Sequence, residues 1–244
     1  MATFDWLIAR PVAHRGLHDA TAGVIENTPS AFSAAIAGNY AIECDIQVTA
    51  DGEAMVHHDG TLGRLNEGDG RLDAMTAAAL KRVRFLATSD HMITLGELCD
   101  LVAGKVTLVI EIKSRFDGDH RVVARAAEVM AAYRGPAALM SFDPAQMATL
   151  RELAPGLTRG IVAESHYPER KEGSTARAFA YIKHALRSRP QFIAYSVKDL
   201  PTVMTSCTRK IFGMPLLTWT VRTDEDRARA ARYADQMIFE RFRP

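Results

Sequence analysis

Cysteine, charge excess and long apolar runs are all scarce in this 244-residue chain. Its three cysteines, Cys44, Cys99 and Cys207, stand far apart with no paired spacing. That excludes a disulfide scaffold and a thiolate metal site, and suits a reducing compartment. Thirty Lys and Arg face 29 Asp and Glu, leaving a net charge of +1. Without a basic excess the chain has no field to gather nucleic acid or an anionic membrane, so an anionic substrate must be held by a local site. No run approaches the ~18 apolar residues that span a bilayer. The opening ten residues carry Asp5 early and lack the apolar core of a signal peptide. A cytoplasmic protein with no stable membrane insertion is expected. Hydrophobic residues at 48% and charged residues at 24% are ordinary for a globular protein. No Pro/Ser-rich linker divides them, so residues 1–244 are expected to form a single domain.

What is present is a regular alternation of short β-rich runs and helical patterns. Strand candidates cover residues 11–15, 40–49, 107–113, 137–142, 158–164, 192–197, 216–221 and 236–240, and most are followed by a helical stretch. The helical patterns include 28–39, 120–133, 144–153, 176–187 and 223–233. In the first of these Thr28 is placed to cap the helix and Pro29 takes its first position. Strands alternating with helices argue for a parallel sheet, and eight such units in this length fit an α/β (β/α)8 TIM barrel. Residues 60–106, with Gly63, Gly68, Gly70 and a helical stretch over 76–84, break the rhythm and read as a small capping insertion after the second strand. The chain stops soon after its last strand, so the N-terminal segment or a second subunit is expected to cover that strand, which leaves a homodimer open.

The chemistry-bearing residues concentrate at strand ends. Side chains two apart on a strand share a face, so Glu43 and Asp45 point together, away from Ile42, Cys44 and Ile46. Two adjacent acids on so apolar a strand repel and are costly to bury without a cation; solvated acids on an exposed strand end are the plainer reading. Asp51-Gly52 then suggests a hairpin into residues 53–59. A two-residue turn there pairs Asp45 with His58, and a three-residue turn selects His57 instead; the two-residue turn is expected. Glu111 and Lys113 close a β-branched run, at the end of a parallel barrel where active sites sit, although they could simply pair with each other. Three carboxylates with no thiolate suit a hard cation, Mg2+ or Ca2+. At the end of the first strand His14 offers an acid–base group, and Arg15 is suited to bidentate phosphate binding.

In order along the chain stand Ala13-His14-Arg15-Gly16, Glu26-Asn27-Thr28, Glu43-Cys44-Asp45, Val56-His57-His58-Asp59-Gly60-Thr61-Leu62-Gly63-Arg64 and Ile110-Glu111-Ile112-Lys113. With weaker matches at Ser141–Pro144 and Trp219-Thr220-Val221, the chain resembles the glycerophosphodiester phosphodiesterases over nearly its whole length. The resemblance implies a TIM barrel related to the phosphatidylinositol-specific phospholipases C that hydrolyses glycerophosphodiesters to glycerol 3-phosphate and an alcohol. It implies His14 and His58 as the general acid–base pair, Glu43, Asp45 and Glu111 as metal ligands, and Arg15 and Lys113 beside the phosphate. Glu26 and Asn27 are implied to bind or brace that site, and residues 60–106 to cap the pocket. Two stretches depart from the family pattern. Arg222 stands where an asparagine is usual, and residues 234–240 replace a Gly-Val-Asp-Gly run, which touches the alcohol side more than the phosphate side.

The expected partner is a small phosphodiester, hydrolysed by water or through a cyclic phosphate. A phospholipase D-like enzyme acting on lysolipids would need a membrane-seeking surface that the composition does not offer. Metal-assisted sugar isomerisation leaves Arg15 and Lys113 without a task. A silent phosphodiester-binding protein would be expected to have lost one of the histidines or acids.

Overall fold

Alternation along residues 41–48 sorts the two sides of the sheet in the structure, a computed structural model that describes residues 4–165 and 185–244. Ile42, Cys44 and Ile46 pack outward against helices, while Glu43 and Asp45 turn into the space the strands enclose. The strands are β1 (Val12–Ala13), β2 (Ala41–Val48), β3 (Ala54–Val56), β4 (Leu108–Ile112), β5 (Ala137–Ser141), β6 (Thr158–Ala163), β7 (Phe192–Ser196), β8 (Leu216–Val221) and β9 (Gln236–Phe239). All but β3 run parallel, in the spatial order 1-9-8-7-6-5-4-2, and β1 pairs with both β9 and β2. The sheet therefore closes as an eight-stranded barrel, the expected architecture.

Helices with both ends among the described residues are α1 (Asp5–Ile8), α2 (Pro29–Ala37), α3 (Ala77–Leu80), α4 (Leu95–Val102), α5 (Arg121–Ala132), α6 (Pro144–Leu153), α7 (Val203–Lys210) and α8 (Asp224–Tyr233). Thr28 caps α2 as its hydroxyl accepts from the Ala31 amide, with Pro29 behind it. The helix expected over 176–187 lies mostly outside the described residues.

The barrel interior is filled from below by Val12, Ala41, Val109, Phe192, Leu217 and Ile238, fully or almost fully buried. Gly160 pairs with Phe192 across β6 and β7. A Cβ on Gly160 would lie 2.4 Å from the Phe192 ring, so the large side chain fits only because its neighbour has none. α1 closes the lower mouth. Its Leu7 joins the interior cluster, Thr107 donates to the Trp6 carbonyl and Gln236 to that of Ile8. A one-turn helix is marginal alone; burying Leu7 contributes about 1.5–3 kcal/mol.

Three expectations change. The β2–β3 ladder pairs Ile46 with Val56 and Val48 with Ala54, so Thr49 faces Glu53 and three residues form the turn, in place of two. Asp51 explains the longer loop: its carboxylate accepts from the Thr49 hydroxyl and the Ala77 amide, so it is drawn out of the hairpin turn. Within residues 60–106 the expected 76–84 helix shortens to the single turn α3. α4, opened by a Thr94–Glu97 capping box, belongs to the helical layer of the barrel, where Leu95, Leu98 and Val102 are fully buried. What remains of the segment folds around its own small core of Leu62, Leu72, Leu80, Phe85 and Met92. Finally, the N-terminal segment runs beneath the barrel, and the outer face of β9 is instead packed by Tyr40 and by residues just after the strand. The Phe239 ring packs against Tyr40 at 5.1 Å and Phe242 at 5.4 Å, and Arg227 lies 4.9 Å over Phe242.

Candidate active site

At the upper ends of the strands the lining changes from apolar to ionisable. β2 and β4 align Asp45 with Glu111, so the i, i+2 spacing sets Glu43, Asp45 and Glu111 around one point. One oxygen from each lies within 4.8 Å of the others, and all three residues are buried. Lys113 ties two of them, its Nζ 2.8 Å from Asp45 Oδ1 and 2.6 Å from Glu111 Oε1. Arg15 Nε approaches Asp45 Oδ2 at 3.2 Å, and the Arg15 amide donates to Glu43. Asn27 donates to Asp45 Oδ2 at 2.9 Å, and Glu26 holds Arg15 Nη1 at 2.7 Å. Arg15 and Asn27 adopt left-handed φ of 55° and 57°, strain that the surrounding hydrogen bonds hold in place.

The electrostatics of this cluster call for another cation. Burial, with mutual repulsion, pushes Glu43 well above the ordinary carboxylate range; burial also raises Glu111. At Asp45 burial is outweighed by Lys113, Arg15 and His58, which hold it below that range. Glu43 Oε1 is buried without a hydrogen-bond partner. Three carboxylates against Lys113 and an arginine shared with Glu26 leave excess negative charge and a free oxygen. This all-oxygen donor set fits a hard divalent ion.

Two imidazoles flank the acids. His14 Nε2 lies 4.0 Å from Glu43 Oε2, and Nδ1 lies 2.7 Å from Glu240 Oε2. Glu240 is held far below the usual carboxylate range: burial opposes this, but the donors gathered around it, His14, His18 and Arg222, prevail. An ionised carboxylate only accepts, so Nδ1 carries the proton and Nε2 presents a lone pair. His58 lines the same cavity, its Nδ1 2.7 Å from Asp59 Oδ1. Burial lowers the pKa of both imidazoles below 6.5.

His58 reaches the cavity although the hairpin register favours His57. The ladder ends at Val56, and the two histidines lie on the irregular segment beyond it. His57 is 2% exposed and bonded to Asn66 Oδ1 and to the Asp59 backbone, a structural post. His58, released from the strand, turns inward.

The cavity measures about 230 Å³. Its other wall is Met140, Phe142, Ser196, Lys198, Trp219 and Arg222, so Phe142 and Trp219 are walls as well as core, edge to face at 5.5 Å. Every expected site residue falls in or beside this cavity. Sequence reasoning passed over Glu240, held Lys198 only as a weaker candidate, and gave Arg64 no role. Glu240 was visible in principle: it follows Ile238 by two at the end of the last strand, the same signal that marked Glu111. Arg64, from the insertion, reaches Glu26 and Asp59 at 2.6 Å each, contacts that its place six residues after His58 did not reveal.

The model of the glycerophosphoryl diester phosphodiesterase family matches residues 14–239. The chain belongs to that family, and so is a phosphodiesterase. Among similar proteins, a glycerophosphodiester phosphodiesterase of Caldanaerobacter subterraneus is 28% identical over 89% of this chain and 88% of that one. Among solved structures, a family member from Thermotoga maritima is 25% identical, with a TM-score of 0.71 and 94% of each chain covered. An Oleispira antarctica phosphodiesterase, solved with its product sn-glycerol 3-phosphate, shares the fold at 19% identity, with a TM-score of 0.78 over 94% of this chain and 91% of that one. No helix among the described residues is long and apolar enough to cross a membrane.

Proposed function

We propose that the chain hydrolyses glycerophosphodiesters to glycerol 3-phosphate and an alcohol, with a divalent ion and two histidines. The observation that carries this reading is the cluster of three buried carboxylates, one with a free buried oxygen, set between His14 and His58 beside Arg15 and Lys113. Membership of an enzyme family favours catalysis over silent binding, and the product held by the Oleispira relative supports the choice of product. The three free thiols among the described residues agree with a cytoplasmic location, and residues 1–244 are read as one domain.

Glu43, Asp45 and Glu111 would hold Mg2+ or Ca2+, which supplies positive charge to the phosphodiester oxygens as charge builds on them. Arg15 binds a phosphate oxygen and Lys113 neutralises the site from below. His14 and His58 divide the proton transfers: one takes a proton from the nucleophile, the other protonates the departing alkoxide. Glu240 fixes the proton of His14 on Nδ1, so that Nε2 faces the reacting atoms. Asp59 orients His58 in the same manner, and Arg64 ties Asp59 to Glu26.

Glycerol 3-phosphate release from glycerophosphocholine tests the assignment. His14→Ala and His58→Ala are each expected to lose about 10²–10⁴-fold in kcat, and EDTA to abolish turnover. Wild-type rates in either variant would remove the acid–base pair; turnover in EDTA would remove the metal.

A further inference from the structure

One half-buried imidazole has no task in that chemistry. His18 Nε2 is buried, makes no hydrogen bond and lies 3.6 Å from Glu240 Oε2. His14 Nδ1 lies 2.7 Å from the same oxygen, and one ligand atom from each of the three residues falls within 4.8 Å of the others. The carboxylate divides its oxygens. Oε1 faces two guanidiniums, Arg222 at 2.5 Å and Arg241 at 3.5 Å, while Oε2 faces the two imidazoles.

Two imidazole nitrogens and one carboxylate oxygen are the donor set of an open zinc site. It differs in kind from the all-oxygen cluster across the His14 ring, so ligand softness would sort two metals between two sites. We infer that His14, His18 and Glu240 form a second, inhibitory metal site for Zn2+ or a similar borderline transition ion. Coordination through His14 Nδ1 displaces the proton now bonded to Glu240 and leaves the ring's proton on Nε2. The ring then cannot accept a proton from the nucleophile, and a neutral N–H donates far less readily than an imidazolium. The inhibitory effect rests on the proposed acid–base role of His14; the binding of metal does not.

Calorimetric titration of Zn2+ into protein saturated with Mg2+ measures the site directly. Wild type should take up one equivalent, and His18→Gln should bind at least about 10-fold more weakly; His18→Asn serves if the glutamine variant does not fold. Zinc should inhibit glycerol 3-phosphate release, each protein scored against its own zinc-free rate, with the inhibitory concentration rising by the same factor in the variant. Co2+ should give a visible band in wild type that the variant loses. Unchanged zinc affinity in a folded His18 variant overturns the site, as does binding that rising Mg2+ abolishes, since the ion would then sit among the three carboxylates. Zinc held through His18 with no loss of rate overturns the inhibition. A zinc-free, Mg2+-loaded protein with no turnover would be a failure of the proposed function alone, and the titration would still decide the site.

Discussion

The two donor groups either side of His14 solve opposite electrostatic problems. On the β2–β4 side three acids crowd together, and burial with repulsion drives Glu43 and Glu111 up. On the β1–β9 side a single acid is surrounded by donors, and Glu240 stays ionised in spite of burial. A cluster short of positive charge invites a cation and gives up metal-free stability for it. A carboxylate rich in donors orients them. One imidazole between the two regions thus gains a defined proton position on one edge and a reaction centre on the other.

The sharpest way to break this contrast is to neutralise one acid on each side. Glu43→Gln should lower turnover on the order of 10³-fold, the several kcal/mol that a metal supplies. Yet in EDTA at pH 7 its Tm should not fall. Because folding raises the pKa of Glu43, its charged form is disfavoured in the folded chain above the unfolded value, and glutamine removes that penalty. A Tm drop measured by calorimetry in EDTA would contradict the crowded-acid view.

The adjacent histidines come next. His58→Ala should lose about 10²–10⁴-fold in kcat with little change in stability. His57→Ala should instead show its effect in urea denaturation, about 1–3 kcal/mol for the buried partners it leaves unpaired. Since burial lowers the pKa of both site imidazoles, their proton-accepting forms persist to lower pH than in a free histidine. The acid limb of kcat/KM should therefore fall below pH 6.5; a limb above 6.5 would count against these groups as bases.

On the donor-rich side, Glu240→Gln should cost about 10–10²-fold in kcat with KM little changed, the usual range for a group that orients a functional neighbour. A change in KM alone would make Glu240 a binding residue. The smallest catalytic effect should follow Gly160→Ala, far below both clusters. The Cβ would meet the Phe192 ring, for about 1–3 kcal/mol of destabilisation by overpacking, with kcat intact in the folded fraction.

Where the sequence was informative, a period or an end marked the residue. Period two separated Glu43 and Asp45 from Ile42, Cys44 and Ile46, and the end of a β-branched run marked Glu111 and Lys113. These signals were enough for the barrel and for most of the site. His58 was legible too, but the hairpin register offered for it was off by one, because Asp51 engages Thr49 and Ala77 and lengthens the turn. The side chain points inward because the ladder stops at Val56. α4 was hidden by its position behind a glycine-rich stretch, although its Thr94–Glu97 box is a local signal. Contacts that join distant segments left no such trace: Arg64 on Glu26 and Asp59, and Arg222 on Glu240. The last pair joins the two stretches that depart from the family pattern, a meeting only the closed barrel reveals.

The most direct measurement is 31P NMR of glycerophosphocholine incubated with the protein, with Mg2+ and with EDTA. With Mg2+ the diester signal should give way to glycerol 3-phosphate, either directly or through a transient cyclic phosphate, and with EDTA it should persist. A diester signal unchanged in Mg2+ and in Ca2+, with the protein folded, would contradict the proposed activity on this substrate; equal conversion in EDTA would contradict the role given to the three carboxylates.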